Sequence, residues 1–381
     1  MMDQYEKLPM PDFGPSAFTV PPPLDRARVA IVTTAGLRIG DSTWDFEGPD
    51  FSVLEHGRRD VHLTHVSTNY DRLGFAQNVN VIYPVDRLDE LVDRGQIGSI
   101  ATHHLSFMGA QPTEALSTIR YDTAPAAAAM LREDGVDVVL MTPVCPVCTR
   151  TLLTIAHVLE QHGLATVAIS NSRGLATRAR APRVLHCDFP RGRPLGDPDD
   201  VALQHAVLAA AFDLLLEPNG PVLREFPGRV ETTTEPAACP LPPRHDPSMP
   251  VPIDEARGLR AAYERTLARL GRTNVGRVVD PSGVENVVAA LIRVSAGTRW
   301  EDAGFPGQPF DAVADVRAYY EEASLSLAAT SPAGASTSWF YRSTATGDLV
   351  RRVQVCLRDA GAPRSMWVRL VPDEHTRKEP S

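Results

Sequence analysis

Short apolar runs, rich in β-branched residues and bounded by turn residues, recur through the first half of the chain. Such runs predict β-strands, and they lie at residues 28–34, 136–142, 165–170 and 183–187; residues 60–66, in which apolar and polar residues alternate, are a further predicted strand. The run at 136–142 is almost continuously apolar, which indicates a strand buried on both faces of a parallel sheet.

Segments with the helical spacing of apolar residues separate several of these runs. They cover residues 86–94, the second part of 114–133, 149–161 and 200–217. Strands that alternate with helices of this length indicate βαβ units. The pattern therefore predicts an α/β fold with an open, doubly wound, mostly parallel sheet, in which ligands bind at the carboxyl ends of the strands.

Changes in composition divide the chain into four predicted parts. Residues 1–27 form an irregular N-terminal arm, 28–226 the α/β domain, 227–252 a proline-rich linker, and 253–381 a smaller α-rich (α+β) C-terminal domain. In the last part we predict helices at 253–271, 284–296, 310–329 and 348–360, and a closing strand at 366–371.

Overall composition excludes several classes of protein. The 381 residues are 43% hydrophobic and carry a formal net charge of −9, which argues against binding to nucleic acid or to a membrane surface, since both need clustered positive charge. No run approaches the roughly 20 apolar residues of a membrane helix, and the N-terminus lacks an apolar signal region. Five cysteines, an odd number, do not make a disulfide framework. We therefore expect a cytoplasmic protein with reduced thiols.

The motif Cys145-Pro146-Val147-Cys148 lies between the strand at 136–142 and the helix at 149–161. At the start of a helix, backbone N–H groups and the helix dipole stabilise a thiolate, which is the nucleophilic form. We favour a redox or nucleophilic pair, in which Cys145 attacks and Cys148 resolves by forming a disulfide. A metal site is a second interpretation, but structural zinc sites use about four ligands, and we predict no metal. Two small residues packed at a helix start are the third interpretation.

Histidines accompany the motif at a distance along the chain. His65 ends the strand predicted at 60–66, so we expect it at the same sheet edge as Cys145, where it could hold a thiolate or supply a proton. The alternative is a histidine that supports a loop. Of the adjacent His103 and His104, at most one should reach the site, because neighbouring strand residues point to opposite faces. The residues predicted to bind substrate are Asn69, Tyr70, Asp71, His103, His104 and Met108.

Four segments carry a resemblance to a known family: THVSTNYD, NVIYPVDRLDELVDRGQIGSIATHHLSFMG, DGVDVVLMTPVCPVC and DFPRGRPLGDP. In order and spacing, residues 28–226 resemble the selenoprotein B family of the glycine, sarcosine, betaine and D-proline reductases, in particular its D-proline reductase-like branch. In that family a selenocysteine commonly opens the x-x-Cys motif and reductively cleaves a carbon–nitrogen bond, whereas position 145 is cysteine here. Members also use a partner chain with a pyruvoyl group that binds the substrate amine. The resemblance does not cover the C-terminal region.

Together these features predict a thiol-dependent reductase or lyase that cleaves a carbon–nitrogen or carbon–sulfur bond of a small substrate. Cys145 is the nucleophile, Cys148 the resolving thiol and His65 the group that assists proton transfer. An external dithiol or a thioredoxin-like reductant resets the pair, no cofactor is bound by the chain itself, and any pyruvoyl group belongs to a partner subunit. The alternatives are a sulfur-transfer enzyme with a persulfide on Cys145, or a non-catalytic redox switch or partner subunit of a larger reductase complex. A homo-oligomer is compatible with each.

Overall fold

The structure is a computed structural model that describes residues 5–40, 48–328 and 332–376. Internal contacts group the chain into two compact units. The N-terminal unit comprises Met1–Val66 and Asn78–Val230, and the C-terminal unit comprises Ser67–Gln77 and Glu231–Ser381. The division into four parts stays a prediction, but it did not anticipate that residues 67–77 group with the C-terminal unit.

The N-terminal unit is built on an eight-stranded sheet in the order β10-β9-β8-β7-β1-β6-β3, with β5 also paired to β1. All strand pairs in this sheet are parallel except β3 with β6. A second, two-stranded antiparallel sheet pairs β2 with β4. The strands are β1 Arg28–Thr33, β2 Leu37–Ile39, β3 Phe51–Glu55, β4 Val61–Leu63, β5 Ser99–Ile100, β6 His103–Phe107, β7 Val138–Thr142, β8 Ala165–Ser170, β9 Arg183–His186 and β10 Val222–Glu225.

The helices are numbered along the chain. Helices α2 to α7 belong to the N-terminal unit, and α1 and α8 to α14 belong to the C-terminal unit. Their bounds are α1 Leu73–Gln77, α2 Val85–Asp93, α3 Ala115–Thr118, α4 Ala124–Glu133, α5 Pro146–Gln161, α6 Arg173–Ala179, α7 Val201–Phe212, α8 Val251–Gly258, α9 Arg260–Leu270, α10 Val284–Ser295, α11 Pro309–Ser324, α12 Ala335–Ser343, α13 Ala345–Asp359 and α14 Arg364–Trp367. A π-helical turn, Ile119–Thr123, joins α3 to α4.

The predicted α/β class and mostly parallel sheet are confirmed. Alternate residues of the central strands, Ala30 and Val32 of β1 with Val139 and Met141 of β7, share one apolar cluster with residues of α3 to α6. Helix α2 contacts β5, and α7 contacts β8 and β9. A hydrogen bond of 3.2 Å from Arg87 to Gln204 joins α2 to α7. Helices therefore cover both faces of the sheet, as in a doubly wound fold.

The path of the chain creates a switch point beside β1. Strands β6 and β3 lie on one side of β1 in the sheet, and strands β7 to β10 follow one another on its other side. The connections from β1 and from β7 therefore leave the carboxyl edge of the sheet in opposite directions, which opens a crevice between them. Cys145 follows β7 at this edge.

Two strand predictions differ from the structure. Of residues 60–66, only Val61–Leu63 form a strand, and this strand pairs with β2 outside the large sheet. The strand predicted at 366–371 is wrong, because Arg364–Trp367 is helical. Met366 and Leu370 are both buried, and their spacing of four places them on one side of a helical turn.

The C-terminal unit is α-rich, as predicted, and contains no strand among its described residues. Its core joins α8 to α14 through apolar and aromatic side chains, including Tyr319, Trp339 and Phe340. Arg317 on α11 donates to the carbonyl oxygens of Thr68, at 2.9 Å, and Tyr70, at 3.3 Å, and so ties residues 67–77 into this unit. In the parts of the chain that the structure describes, every helix is too short or too polar to cross a bilayer.

Candidate active site

The Cys-x-x-Cys motif forms the first turn of α5. Cys145 is the N-cap residue in an extended conformation, and its Sγ accepts the backbone N–H of Cys148 at 3.3 Å. Pro146 occupies the start of the helix, where its missing N–H and fixed φ are favourable. The structure joins Cys145 and Cys148 in a disulfide with Cα atoms 5.0 Å apart, and both residues are buried.

This position favours negative charge on sulfur once the pair is reduced. A helix presents unpaired N–H groups and the positive end of its dipole at its first turn. The N–H of Cys148, which points to Cys145 Sγ, is one of these groups. The predicted setting of Cys145 between a strand and a helix is therefore confirmed, while its role as a nucleophile stays a prediction.

His65 contacts the pair through Cys148. Its Nε2 lies 3.0 Å from Cys148 Sγ, and the imidazole is buried. The histidine follows β4, and the backbone N–H of Thr64 donates to the carbonyl of Gly36 at 2.9 Å, which fixes this segment beside the connection after β1. The sequence placed His65 at the edge that carries Cys145, and the structure brings it to the second sulfur of the motif. The imidazole nitrogen and the two sulfurs all lie within 4.8 Å of one another.

Three residues that the sequence analysis missed hold the motif in place. Thr34, which follows β1, donates its hydroxyl to the carbonyl of Cys148 at 3.2 Å. Thr149 donates its hydroxyl to the carbonyl of Cys145 at 3.2 Å. Gly109, which follows β6, lies directly against Thr34 and Cys148. Thr34 and Gly109 each follow a strand of the parallel sheet, and this position is the one signal in the sequence that could have identified them.

Gly109 leaves no room for a side chain. A Cβ at this position would lie 2.5 Å from the carbonyl oxygen of Thr34 and 2.8 Å from Cβ of Cys148. We expect Gly109→Ala to destabilise the N-terminal unit by about 1–3 kcal/mol and to displace Cys148 from His65. Urea unfolding and the rate of thiol labelling measure the two effects. Gly57→Ala is the matched control, because no atom lies within 4 Å of its added Cβ; equal effects of the two substitutions would contradict the prediction.

Met108 lies at the same edge as the motif. It is buried against Val66 and forms a β-bridge with Ala35, in the connection after β1. The structure therefore places Met108 in the same neighbourhood as His65, which directly precedes Val66 in the sequence. Its contact with a substrate stays a prediction.

Asn69, Tyr70 and Asp71 lie in the C-terminal unit. Asn69 Oδ1 accepts the backbone N–H of Asp373 at 2.9 Å. Asp71 Oδ1 accepts the N–H of Leu73 at 2.8 Å, at the start of α1. These contacts give Asn69 and Asp71 structural roles within that unit, and substrate binding by the three residues stays a prediction.

The structure does not bring His103 and His104 to the cysteine pair. They open β6, which runs parallel to β1 and β7, so they lie at the amino edge of the sheet, whereas Cys145 lies beyond the carboxyl end of β7. The backbone N–H of His103 donates to Asp134 at 3.0 Å. The sequence could not show at which edge of the sheet the histidines lie, because the segment from His103 to Met108 spans the full length of β6.

His104 forms a buried hydrogen-bond chain. Its Nδ1 accepts the backbone N–H of Ile31 at 3.0 Å, and its Nε2 lies 3.1 Å from Nδ1 of His56. Nε2 of His56 lies 2.8 Å from the carboxylate of Asp89. Because Nδ1 of His104 is an acceptor, the ring is neutral, and burial lowers its pKa to about 3.

From the hydrogen bonds and the low pKa of His104 we predict that acid lowers the free energy of unfolding of the N-terminal unit. His104 has a pKa near its ordinary value of 6.5 in the unfolded chain and about 3 in the folded protein, so the stability is fully present above pH 6.5 and is lost as the pH falls toward 3. The slope reaches about 1.4 kcal/mol per pH unit. His104→Asn keeps an acceptor near Ile31 and removes the titration, so its urea midpoint should change less between pH 7 and pH 5. An unchanged pH dependence in this variant would contradict the assignment.

A cavity opens at the carboxyl ends of β8, β9 and β10. Its volume is about 460 Å³, and Arg173, Glu225 and Arg229 are among its lining residues. Asn171 also lines the cavity, and its Oδ1 lies 3.2 Å from the hydroxyl oxygen of Thr149, the residue that follows Cys148. The cavity therefore lies beside the first turn of α5 and offers charges of both signs to a small polar ligand.

Comparison with known proteins identifies relatives of this chain. The family described as glycine/sarcosine/betaine reductase selenoprotein B matches residues 5–144, a match that ends one residue before Cys145. D-proline reductase subunit gamma of Acetoanaerobium sticklandii is 27% identical over 194 residues, which cover 50% of this chain and 78% of the relative.

Two further relatives come from Peptoclostridium acidaminophilum. The betaine reductase complex component B subunit beta is 29% identical over 184 residues, or 46% of this chain and 41% of the relative. The glycine reductase complex component B subunit gamma is 25% identical over 236 residues, or 56% of this chain and 51% of the relative. The chain thus spans about half the length of these two relatives or less, and no solved structure matches it. Residues 5–144 are therefore similar to the glycine/sarcosine/betaine reductase selenoprotein B family, and the curated relatives are subunits of reductases of this type.

Proposed function

We propose that this protein is a thiol-dependent reductase that cleaves a carbon–nitrogen or carbon–sulfur bond of a small substrate at Cys145, Cys148 and His65. The observation that carries the proposal is the arrangement of two cysteines on the first turn of α5 with Nε2 of His65 3.0 Å from Cys148 Sγ. A vicinal thiol pair and a histidine supply the three elements that such a reaction needs: a nucleophile, a two-electron reductant and a proton carrier.

The reaction balances in two steps. The thiol of Cys145 gives up its proton as its sulfur attacks the substrate carbon; a carbon–sulfur bond to the protein forms, the carbon–nitrogen or carbon–sulfur bond of the substrate breaks, and the amine or thiol leaves with that proton. Cys148 then loses its proton to His65 and attacks the sulfur of Cys145; the disulfide forms, and the released carbon takes the proton from His65. The net change is two thiol hydrogens transferred to the two fragments of the cleaved bond. An external dithiol reduces the disulfide and returns the pair to its starting state.

The similarity to this family supports a reductase role, and the names of the relatives suggest the first substrates to test. These are D-proline, betaine, sarcosine and glycine. The relatives are subunits of multi-component reductases, so we propose that a partner subunit, with or without a pyruvoyl group, works with this chain. The cavity beside α5, with arginines and a glutamate in its lining, suits a small ligand that carries both charges.

Replacement of the resolving thiol tests the proposal, because it should stop the reaction after the first step. With Cys148→Ser, we expect a covalent adduct on Cys145 whose mass is that of the substrate without its leaving group. The wild-type protein should instead form the disulfide and release one equivalent of reduced product when no reductant is present. Intact-mass spectrometry and peptide mapping measure both outcomes. Cys356→Ser is the control, since Cys356 is a partly exposed residue of the C-terminal unit, and it should behave as the wild type.

A second measurement needs no substrate. In the reduced protein, iodoacetamide should label Cys145 faster at pH 7 than Cys187, because both are buried but only Cys145 lies at a helix start, whereas burial raises the pKa of the Cys187 thiol to about 12. Equal labelling rates of the two residues would contradict the proposal. An added sulfur on Cys145 in the purified protein would favour the sulfur-transfer alternative instead.

A further inference from the structure

Cys145, Cys148 and His65 also form a group of potential metal ligands. Their two sulfurs and Nε2 lie within 4.8 Å of one another in the interior of the N-terminal unit. Among the residues that the structure describes, this is the group of three or more histidine, cysteine, aspartate or glutamate side chains that converges closely enough to hold an ion. No four-ligand pattern marks a metal site along the sequence, since His65 lies 80 residues before Cys145 and its contact with the motif depends on the fold.

The chemistry of the three ligands selects the kind of ion. Two thiolates and an imidazole are ligands for soft or borderline cations such as Zn²⁺, whereas Mg²⁺ and Ca²⁺ require oxygen ligands. No carboxylate belongs to the group. Three protein ligands around Zn²⁺ leave a fourth position for water or a substrate, which is the coordination of catalytic rather than structural zinc sites.

The geometry of the ligands fits such an ion after reduction. Zn²⁺ binds sulfur at about 2.3 Å and nitrogen at about 2.0–2.1 Å, so that tetrahedral ligand atoms lie roughly 3.3–3.8 Å apart. Nε2 of His65 is 3.0 Å from Cys148 Sγ, and no ligand pair is separated by more than 4.8 Å. Once the disulfide is reduced, rotation of the cysteine side chains can bring the two sulfurs to the required separation.

We infer that the reduced protein binds one Zn²⁺ ion through Cys145, Cys148 and His65, and that this bound state and the disulfide exclude each other. A dithiol first reduces the disulfide, becoming a disulfide itself and leaving two thiols on the protein. The ion then displaces the two thiol protons and binds the two thiolates and the neutral imidazole. While the ion is bound, neither sulfur is available for attack or for disulfide formation. The metal therefore controls access to the redox pair.

Metal titration of the full-length protein tests this inference. The protein is reduced with a dithiol, freed of the reductant without oxygen, and titrated with Cd²⁺, whose bonds to thiolates absorb in the ultraviolet, or with Zn²⁺ followed by elemental analysis. We expect one ion per chain and the release of thiol protons. His65→Ala, Cys145→Ser and Cys148→Ser should each weaken binding by at least about tenfold, whereas Cys356→Ser and His103→Ala should bind as the wild type.

The oxidised wild-type protein is the control that does not depend on a variant's ability to fold. It has the same sequence and its sulfurs are joined, so it should bind no ion, and reduction should restore binding. Absence of binding by the reduced protein, or equal binding by the oxidised and reduced forms, would overturn the inference. The inference is independent of the proposed reductase activity: a protein can bind the ion and cleave no substrate, or form adducts on Cys145 and bind no ion, and the two experiments separate these results.

Discussion

Replacing Cys145 with serine should abolish turnover while the protein stays folded. A serine hydroxyl at this position is not ionised at neutral pH and is a much weaker nucleophile than a thiolate, and it cannot form a disulfide with Cys148. By analogy with the removal of other enzymatic nucleophiles, the rate should fall by roughly three orders of magnitude or more. Serine is close to cysteine in size and still accepts the N–H of residue 148, so the cap of α5 is retained.

The measurement is product formation in the presence of excess dithiol, with circular dichroism and urea unfolding as tests of the fold. Cys187→Ser is an informative comparison, since Cys187 is another buried cysteine of the same unit and burial raises the pKa of its thiol to about 12. This thiol is not ionised at neutral pH, so its loss should leave the rate nearly unchanged. Full activity of Cys145→Ser on a substrate that the wild type cleaves would exclude Cys145 as the nucleophile.

Removal of Glu160 should cost more stability than any surface substitution in the N-terminal unit. Glu160 on α5 and Arg183 at the start of β9 form an ion pair of 2.9 Å whose side chains are both 0% exposed. The carboxylate also accepts the N–H groups of Thr19, at 2.5 Å, and Thr166, at 2.7 Å. Burial raises the pKa of Glu160 and lowers the pKa of Arg183. Burial thus disfavours the charged form of each side chain, and the opposite charge of its partner stabilises that form. Glu160→Ala leaves Arg183 charged and unpaired, which should lower the free energy of unfolding by about 3–5 kcal/mol.

Urea unfolding followed by circular dichroism measures this loss. Asp60→Ala is the matched control, because it breaks an ion pair with Arg58 in which both side chains are nearly half exposed, at 46% and 45%, and it should cost at most about 1 kcal/mol. The double substitution of Glu160 and Arg183 by methionine should be milder than Glu160→Ala, because it leaves no buried charge. Equal losses for Glu160→Ala and Asp60→Ala would show that the buried pair is not held as the structure describes.

The sequence was sufficient for those parts of the protein that local pattern determines. The apolar runs at 28–34, 136–142, 165–170 and 183–187 correspond to β1, β7, β8 and β9. A strand buried on both faces of a parallel sheet is apolar along its whole length, so the sequence alone identifies it. The position of Cys145 before a helix followed from the order of a strand, a proline and a helical pattern. Strand β6 was not among the predicted apolar runs, although His103 and His104 were treated as strand residues, because His104 and Ser106 are polar although buried. The hydroxyl oxygen of Ser106 accepts the backbone N–H of Leu37 at 2.6 Å.

The composition of the site was decided by tertiary structure. The motif predicted a reactive pair, but the contact of His65 with Cys148, the support from Thr34 and the close approach of Gly109 join segments that are far apart in sequence. His103 shares a sequence motif with Met108, yet His103 begins β6 and Met108 follows its end, because four strand residues lie between them. Periodicity and composition report whether a residue is buried and in which element it lies. Which buried residues meet depends on the order of strands in the sheet, and that order is set by packing between distant segments.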